Sequence, residues 1–168
     1  MAQDEGCFGR ITTPTACWAP TPLRPVVAQQ VVREYTYVYS VIAPALGKMT
    51  SLILPAVNTD LMNVFLAHVA EEFHDYFIIM QVDGAGWHSA KDLCIPENIR
   101  FICQPAYSPE LNPVEHLWDY LRENYFGNRA FDSVTAVIDA IINGLSFLAE
   151  HGDVVREMTH FPHLQIVC

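Results

Sequence analysis

The sequence predicts an α/β fold built on a mixed sheet. Three observations predict it: a period-two run rich in tyrosine and valine, two long stretches with apolar residues at helical spacing, and two short continuous apolar runs that end at polar turns. The chain has 168 residues, 51% of them apolar and 17% charged, enough for one well-packed domain and too apolar for disorder. Nine Lys and Arg stand against nineteen Asp and Glu, a net charge of −10. That balance argues against a surface made only to track a phosphate backbone.

Five strands are expected. A short one runs through Asp4 and Phe8, and Trp18 to Pro25 follows as an irregular connection with too many prolines for a central strand. From Arg33 to Ile42, Tyr35, Tyr37, Tyr39 and Val41 share one side of a strand pattern. Gly47-Lys48 turns the chain into a strand over Thr50 to Leu54. Tyr76 to Val82 and Ile99 to Cys103 are continuous apolar runs, the pattern of parallel strands buried on both faces. A right-handed parallel crossover should place functional loops at the carboxyl ends of these strands, and Asp83 sits at one such end.

Three helices complete the pattern. Asn58-Thr59-Asp60 supplies capping side chains, and Leu61, Phe65, Leu66, Val69 and Phe73 make residues 60–75 amphipathic. Asn112 is a candidate N-cap with Pro113 at the first helical position, ahead of Val114, Leu117, Trp118 and Leu121. From Phe131, the residues Val134, Ile138, Ile141, Ile142, Leu145 and Leu148 form a stripe that ends near Gly152, read as a left-handed stop. Beyond it the periodicity is weak and a loosely docked tail is expected, with residues 1–150 as the domain and 151–168 as the tail.

Five scattered cysteines without a C-x-x-C pair argue against a disulfide framework or a zinc site. No apolar stretch approaches the roughly 20 residues that span a bilayer, and the first residues lack the pattern of a signal peptide. A cytoplasmic protein without a membrane segment is expected. Zinc proteases, zinc deaminases, serine hydrolases and P-loop enzymes lack their motifs here.

The acids carry the chemistry. Asp83 follows six uncharged residues, and a carboxylate placed there needs a cation, an arginine or backbone donors; Gly84-Ala85-Gly86 makes a turn-capping role the plain alternative. Glu115 lies three residues after Asn112, where it could close a capping box. His88 and His116 follow these acids, each with a plain reading as a hydrogen-bonded structural histidine.

The segments Asp4-Glu5 with Phe8-Gly9, Trp18-Ala19-Pro20, Val82 to His88, and Pro105 to Trp118 (PAYSPELNPVEHLW) together resemble the catalytic domain of bacterial insertion-sequence transposases related to the Tc/mariner group. The resemblance runs from Asp4 to about Leu148 and includes Asn128-Arg129-Ala130-Phe131. It implies a ribonuclease-H-like fold, a five-stranded mixed sheet flanked by helices, and a DDE triad of Asp4, Asp83 and Glu115, the last two 32 positions apart. It further implies that the triad is both catalytic and metal-binding, with two Mg²⁺ or Mn²⁺ ions, Asp4 bridging them. The activity implied is divalent-metal-dependent DNA cleavage and strand transfer, an endonuclease and polynucleotidyl transferase acting on element ends and target DNA.

Around that triad, His88, His116, Asn112 and Arg122 are the candidates for supporting the acids or touching DNA, with an Asp119 ion pair as the plain alternative for Arg122. The acidic balance requires DNA contact to depend on locally placed residues such as Arg10, Arg122 and Arg129, or on a basic partner domain. A homodimer is expected, since relatives handle two element ends together; Trp87, Trp118 and the stretch His160 to Leu164 offer aromatic or apolar surface. An amino-terminal helix-turn-helix region that recognises the ends is also implied, and only three residues precede Asp4. Two alternatives remain open: a truncated, inactive remnant that assembles with full-length transposase, and a free-standing ribonuclease-H-like nuclease.

Overall fold

The computed structural model describes residues 1–161. Its sheet contains β1 (Ala2–Ile11), β2 (Val31–Ala43), β3 (Lys48–Leu54), β4 (Ile78–Val82) and β5 (Ile99–Cys103) in the order β3-β2-β1-β4-β5. The first three are antiparallel neighbours; β4 lies parallel to β1, and β5 parallel to β4. The helices are α1 (Thr59–Glu72), α2 (Val114–Leu121), α3 (Val134–Glu150) and α4 (Gly152–Met158).

Strand β1 is longer than its sequence suggests, and its start is pinned rather than frayed. The Met1 amino group donates to the Ile79 carbonyl at 2.8 Å, and the Gln81 N–H donates to the Met1 carbonyl at 2.8 Å. Asp4 is therefore held inside the sheet, paired with Ser40. After β1 the chain runs without regular structure to Val31, as its prolines require.

The sheet buries a core on each face. Tyr39, Phe65, Leu66 and Met80 belong to the side covered by α1, whose Asn58 cap accepts from the Leu61 N–H at 2.9 Å. Val38, Leu117, Trp118 and Ile141 belong to the side covered by α2, α3 and α4. Each fully buried side chain of this size contributes about 2 kcal/mol.

Four expectations are corrected. Strands β4 and β5 are buried on one face only: Ile79 and Ile102 are exposed, as is Phe77 just before β4, because α2 and α3 pack across β1, β2 and β3 and stop short of β4 and β5. The α3 stripe is Val137, Ala140, Ile141, Gly144 and Leu148, while Ile142 faces outward. Gly152 does not end α3 in a left-handed stop; it opens α4, which buries Val155 against the core where a loose tail was expected. Asn112 caps α2 through its side chain from one residue further out, with Pro113 at the helix boundary. Of the expected aromatic tail, Pro162, His163 and Leu164 lie outside the described residues. Among the described residues no single helix is long and apolar enough to cross a membrane.

The β2–β3 hairpin turns at Gly47, with φ +62°. A Cβ there would strike the Gly152 carbonyl oxygen of α4. Gly47→Ala combines that clash with a left-handed backbone, so it is expected to cost about 2 kcal/mol and to lower Tm by about 6 °C in thermal denaturation.

Candidate active site

The alternation of β1 sends neighbouring acids to opposite faces of the sheet. Asp4 turns toward α2, where the Trp118 Nε1–H donates to its Oδ2 at 2.9 Å; the Glu5 N–H donates to its Oδ1 at 2.9 Å. Trp118 reaches this position because Gly6 has no side chain: a Cβ there would lie 2.9 Å from the indole ring. Glu5 turns toward the 3-10 turn Gly86–Ser89, where the Trp87 Nε1–H donates to its Oε1 at 3.3 Å.

Asp83 leaves the end of β4, and its Oδ1 accepts from the Ala85 N–H at 2.9 Å, the turn-capping contact expected of an Asp-Gly turn. His88 adds a second contact, with Nδ1 2.8 Å from the same oxygen. Glu115 stands on the first turn of α2 but closes no capping box, because the Asn112 N–H already donates to the Pro109 carbonyl at 2.9 Å. Asn112 itself is buried and ties the start of α2 to β1: its Nδ2 donates to the Gln3 carbonyl and its Oδ1 accepts from the Val114 N–H, each at 3.1 Å.

These pieces meet in one cavity of about 430 Å³, lined by Asp4, Asp83, Glu115, Gln104, Tyr107 and Asn112 among others. The expected triad therefore shares a single pocket, at the carboxyl ends of β4 and β5. The supporting candidates divide. His88 is buried behind Asp83, and Asn112 lines the pocket. Arg122 is half exposed, 3.8 Å from Asp119 and over the Phe8 ring at 5.7 Å. His116 is directed elsewhere: its Nδ1 meets the Met158 carbonyl at 2.6 Å, so it ties α2 to α4. Arg10 and Arg129 are likewise occupied, Arg10 with Glu34 at 2.7 Å and Arg129 with the Tyr125 carbonyl at 3.0 Å.

The electrostatics separate the three acids. Burial pushes the Asp4 carboxyl up to about 7, against the Trp118 hydrogen bond and with the Glu115 charge adding to it. Burial also raises Glu115, only partly offset by the Arg122 guanidinium. Asp83 is lowered, chiefly by its hydrogen bond with His88. For His88 burial opposes the charge, but the hydrogen bond with Asp83 and the nearby Glu5 carboxylate prevail and push it up to about 10. Because the Trp118 N–H favours the ionised form of Asp4, Trp118→Phe is expected to raise the Asp4 pKa above about 7, as measured by NMR titration of its carboxyl carbon.

The donor set suits a hard divalent cation. All three side chains offer oxygen, and the raised Asp4 marks a buried carboxylate short of positive charge. Among the described residues no three His, Cys, Asp or Glu side chains converge on one point. Mg²⁺ is commonly held by one or two carboxylates together with waters and substrate phosphates, so a looser arrangement of oxygens is compatible with it. The contacts missed from sequence are those of Glu5, whose signal was a second acid beside Asp4 on a strand, and of the indole N–H groups of Trp87 and Trp118, residues read there only for their aromatic surface.

Comparison with known proteins gives the same picture. An uncharacterized protein of Sinorhizobium fredii, y4pE/y4sA, is 34% identical over 105 residues, 62% of this chain and 78% of that protein. Among solved structures, a pre-cleavage Mos1 transpososome superposes with a TM-score of 0.65 at 14% identity, over 95% of this chain and 53% of that one. A Mos1 mariner paired end complex with Mn gives 0.64 at 15%, again over 95% and 53%. The chain thus spans about half the length of those Mos1 chains, whose ribonuclease-H-like fold it shares. The sequence profile of the DDE superfamily endonucleases matches residues 1–138, across all five strands and both later acids, and on that match the chain belongs to the DDE superfamily endonucleases.

Proposed function

We propose that residues 1–150 are the catalytic unit of a Tc/mariner-related transposase, which cuts DNA and joins the freed 3′ end to a target. The observation that supports this most is the meeting of Asp4, Asp83 and Glu115 in one cavity of a chain of this family. In this reading Asp4, Asp83 and Glu115 would hold two divalent cations, Mg²⁺ or Mn²⁺. When bound, the ions supply positive charge opposite the attacking and leaving oxygens of an in-line phosphoryl transfer.

The rest of the work falls to the chain. Trp118 and the Glu5 N–H aim the Asp4 oxygens, the Ala85 N–H and His88 aim one oxygen of Asp83, and Asn112 fixes the start of α2 and with it Glu115. Arg122, whose guanidinium lowers the pKa of Glu115, is the side chain that would contact a DNA phosphate. Water oxygen attacks phosphorus first and expels the 3′-oxygen; the resulting 3′-hydroxyl then attacks a target phosphodiester and expels a second 3′-oxygen.

The partners are DNA ends and target DNA, in line with the paired-end complexes that Mos1 transposase forms with a transposon end, and the working form is a homodimer that handles two ends together. The test is nicking of supercoiled plasmid DNA with Mn²⁺. Wild type should nick and Asp83→Asn should not; equal nicking by both would remove Asp83 from the reaction.

A further inference from the structure

The buried cluster behind the pocket contains one carboxylate that the reaction above does not use. Glu5 has a side chain only 5% exposed, yet no Lys or Arg lies against it among the described residues. Its Oε1 accepts from Gln3 Nε2 at 2.9 Å and from Trp87 Nε1 at 3.3 Å, two neutral donors. Its nearest positive group is His88, whose Nε2 lies 3.5 Å away. The other side of the ring faces Asp83 alone, with Nδ1 2.8 Å from Oδ1 and 3.1 Å from the backbone carbonyl.

Every oxygen within reach of the His88 ring is therefore an acceptor. The ring is set between two carboxylates, held closely by Asp83 at Nδ1, while the buried Nε2 has no hydrogen-bond partner among the described residues and has Glu5 Oε1 as the acid facing it at 3.5 Å. A long buried acid is an expensive residue to place on a strand that already carries Asp4. Its position accounts for it: Glu5 lies behind His88 and His88 behind Asp83, in a line that ends at the cavity. His88 occupies Oδ1 of Asp83 together with the Ala85 N–H, while Oδ2 carries no hydrogen bond among the described residues.

We propose that Glu5 is a positioning residue for the cation-binding pocket, holding His88 so that its ring fixes Oδ1 of Asp83 and leaves Oδ2 for the ion. This rests on the reading of Asp83 as a cation ligand. It parallels the outer carboxylates that orient ligating side chains at metal sites, whose loss costs about 10- to 100-fold in metal affinity.

The experiment is calorimetric titration of the full chain with Mn²⁺, alongside NMR of the His88 ring protons in the metal-free protein. Glu5→Gln keeps an acceptor for Trp87 and removes the charge; it should raise the Mn²⁺ concentration at half saturation about 10- to 100-fold. It should also move or broaden the downfield Nδ1–H resonance before any metal is added. Glu5→Asp, which keeps the charge but withdraws it from Nε2, should show a smaller change in the same direction and serves if the glutamine variant folds poorly. The double variant of Glu5→Gln with His88→Gln should bind no more weakly than His88→Gln alone, since both act through one contact.

Wild-type Mn²⁺ affinity and an unmoved His88 resonance in either folded Glu5 variant would overturn the proposal, as would additive losses in the double variant. Asp83→Asn separates the two levels. If it loses Mn²⁺ binding while Glu5→Gln retains it, only the role of Glu5 falls; if wild type itself binds no Mn²⁺, the reading of the pocket falls with it.

Discussion

Asp4→Asn is expected to stabilise the metal-free protein by about 2 kcal/mol above pH 7 while cutting Mn²⁺-dependent DNA cleavage about 1000-fold. The two effects share one cause. Asp4 is a buried carboxylate raised to about 7 from an ordinary 3.8, so its ionised form costs folding about 4 kcal/mol at full ionisation. Asparagine removes that cost. It keeps one acceptor oxygen but cannot accept from both the Trp118 and the Glu5 N–H groups, which returns about 1 to 2 kcal/mol. The charge that penalises the empty pocket is the charge a divalent cation needs. Its loss removes several kcal/mol of transition-state stabilisation, hence the thousandfold loss in rate. Chemical denaturation at pH 8 and plasmid nicking check the two halves.

The second large effect is a stability that falls as pH rises. Below about pH 4, Asp4 is protonated in folded and unfolded chains alike and contributes nothing. Between about 4 and 7 the unfolded chain releases the proton that the folded chain keeps, so the folded state loses ground; above about 7 the penalty is complete. His88 adds to the trend at higher pH. Its raised pKa contributes stability that is full below 6.5 and is lost as pH rises through about 10. Asp83 acts on the acid side: its lowered pKa contributes stability above the ordinary carboxylate range and loses it as pH falls through the folded value. Metal-free protein should thus be most stable on the mildly acidic side of neutrality. Saturating Mn²⁺ should restore stability selectively above pH 7, where protons no longer compete for Asp4. Urea denaturation from pH 5 to 9, with and without Mn²⁺, measures both.

The parts of this fold that were legible in the sequence are those with a local physical cause. Asn58 caps a helix, accepting from the Leu61 N–H, and the turn chemistry at Gly47 closes the hairpin. The three acids could be named because the words around them, above all PAYSPELNPVEHLW, resemble a family in which such residues meet. Their meeting in one cavity needs the pairing of β1 with β4, a contact between residues nearly 80 positions apart.

What stayed hidden depends on neighbours that no local pattern names. A run such as IIMQV reads alike whether one face or both are covered, and only the extent of α2 and α3 decides that Ile79 is exposed. Residues after Gly152 carry too short a pattern to announce α4, which is held by Val155 and by the Gly47 contact. Asn112 was placed at the start of α2, but its bond to the Gln3 carbonyl spans 109 positions. The Glu5–His88–Asp83 line joins three separate segments, so neither its existence nor the departure of His116 toward Met158 could be seen from spacing.

The most direct measurement is calorimetric titration of wild type, Asp4→Asn, Asp83→Asn and Glu115→Gln with Mn²⁺ at pH 8. Saturable binding in wild type, at up to two ions per chain, that is weakened or lost in each variant is the predicted result. A wild-type protein that is folded yet takes up no Mn²⁺, or three variants that bind it as wild type does, would contradict the account.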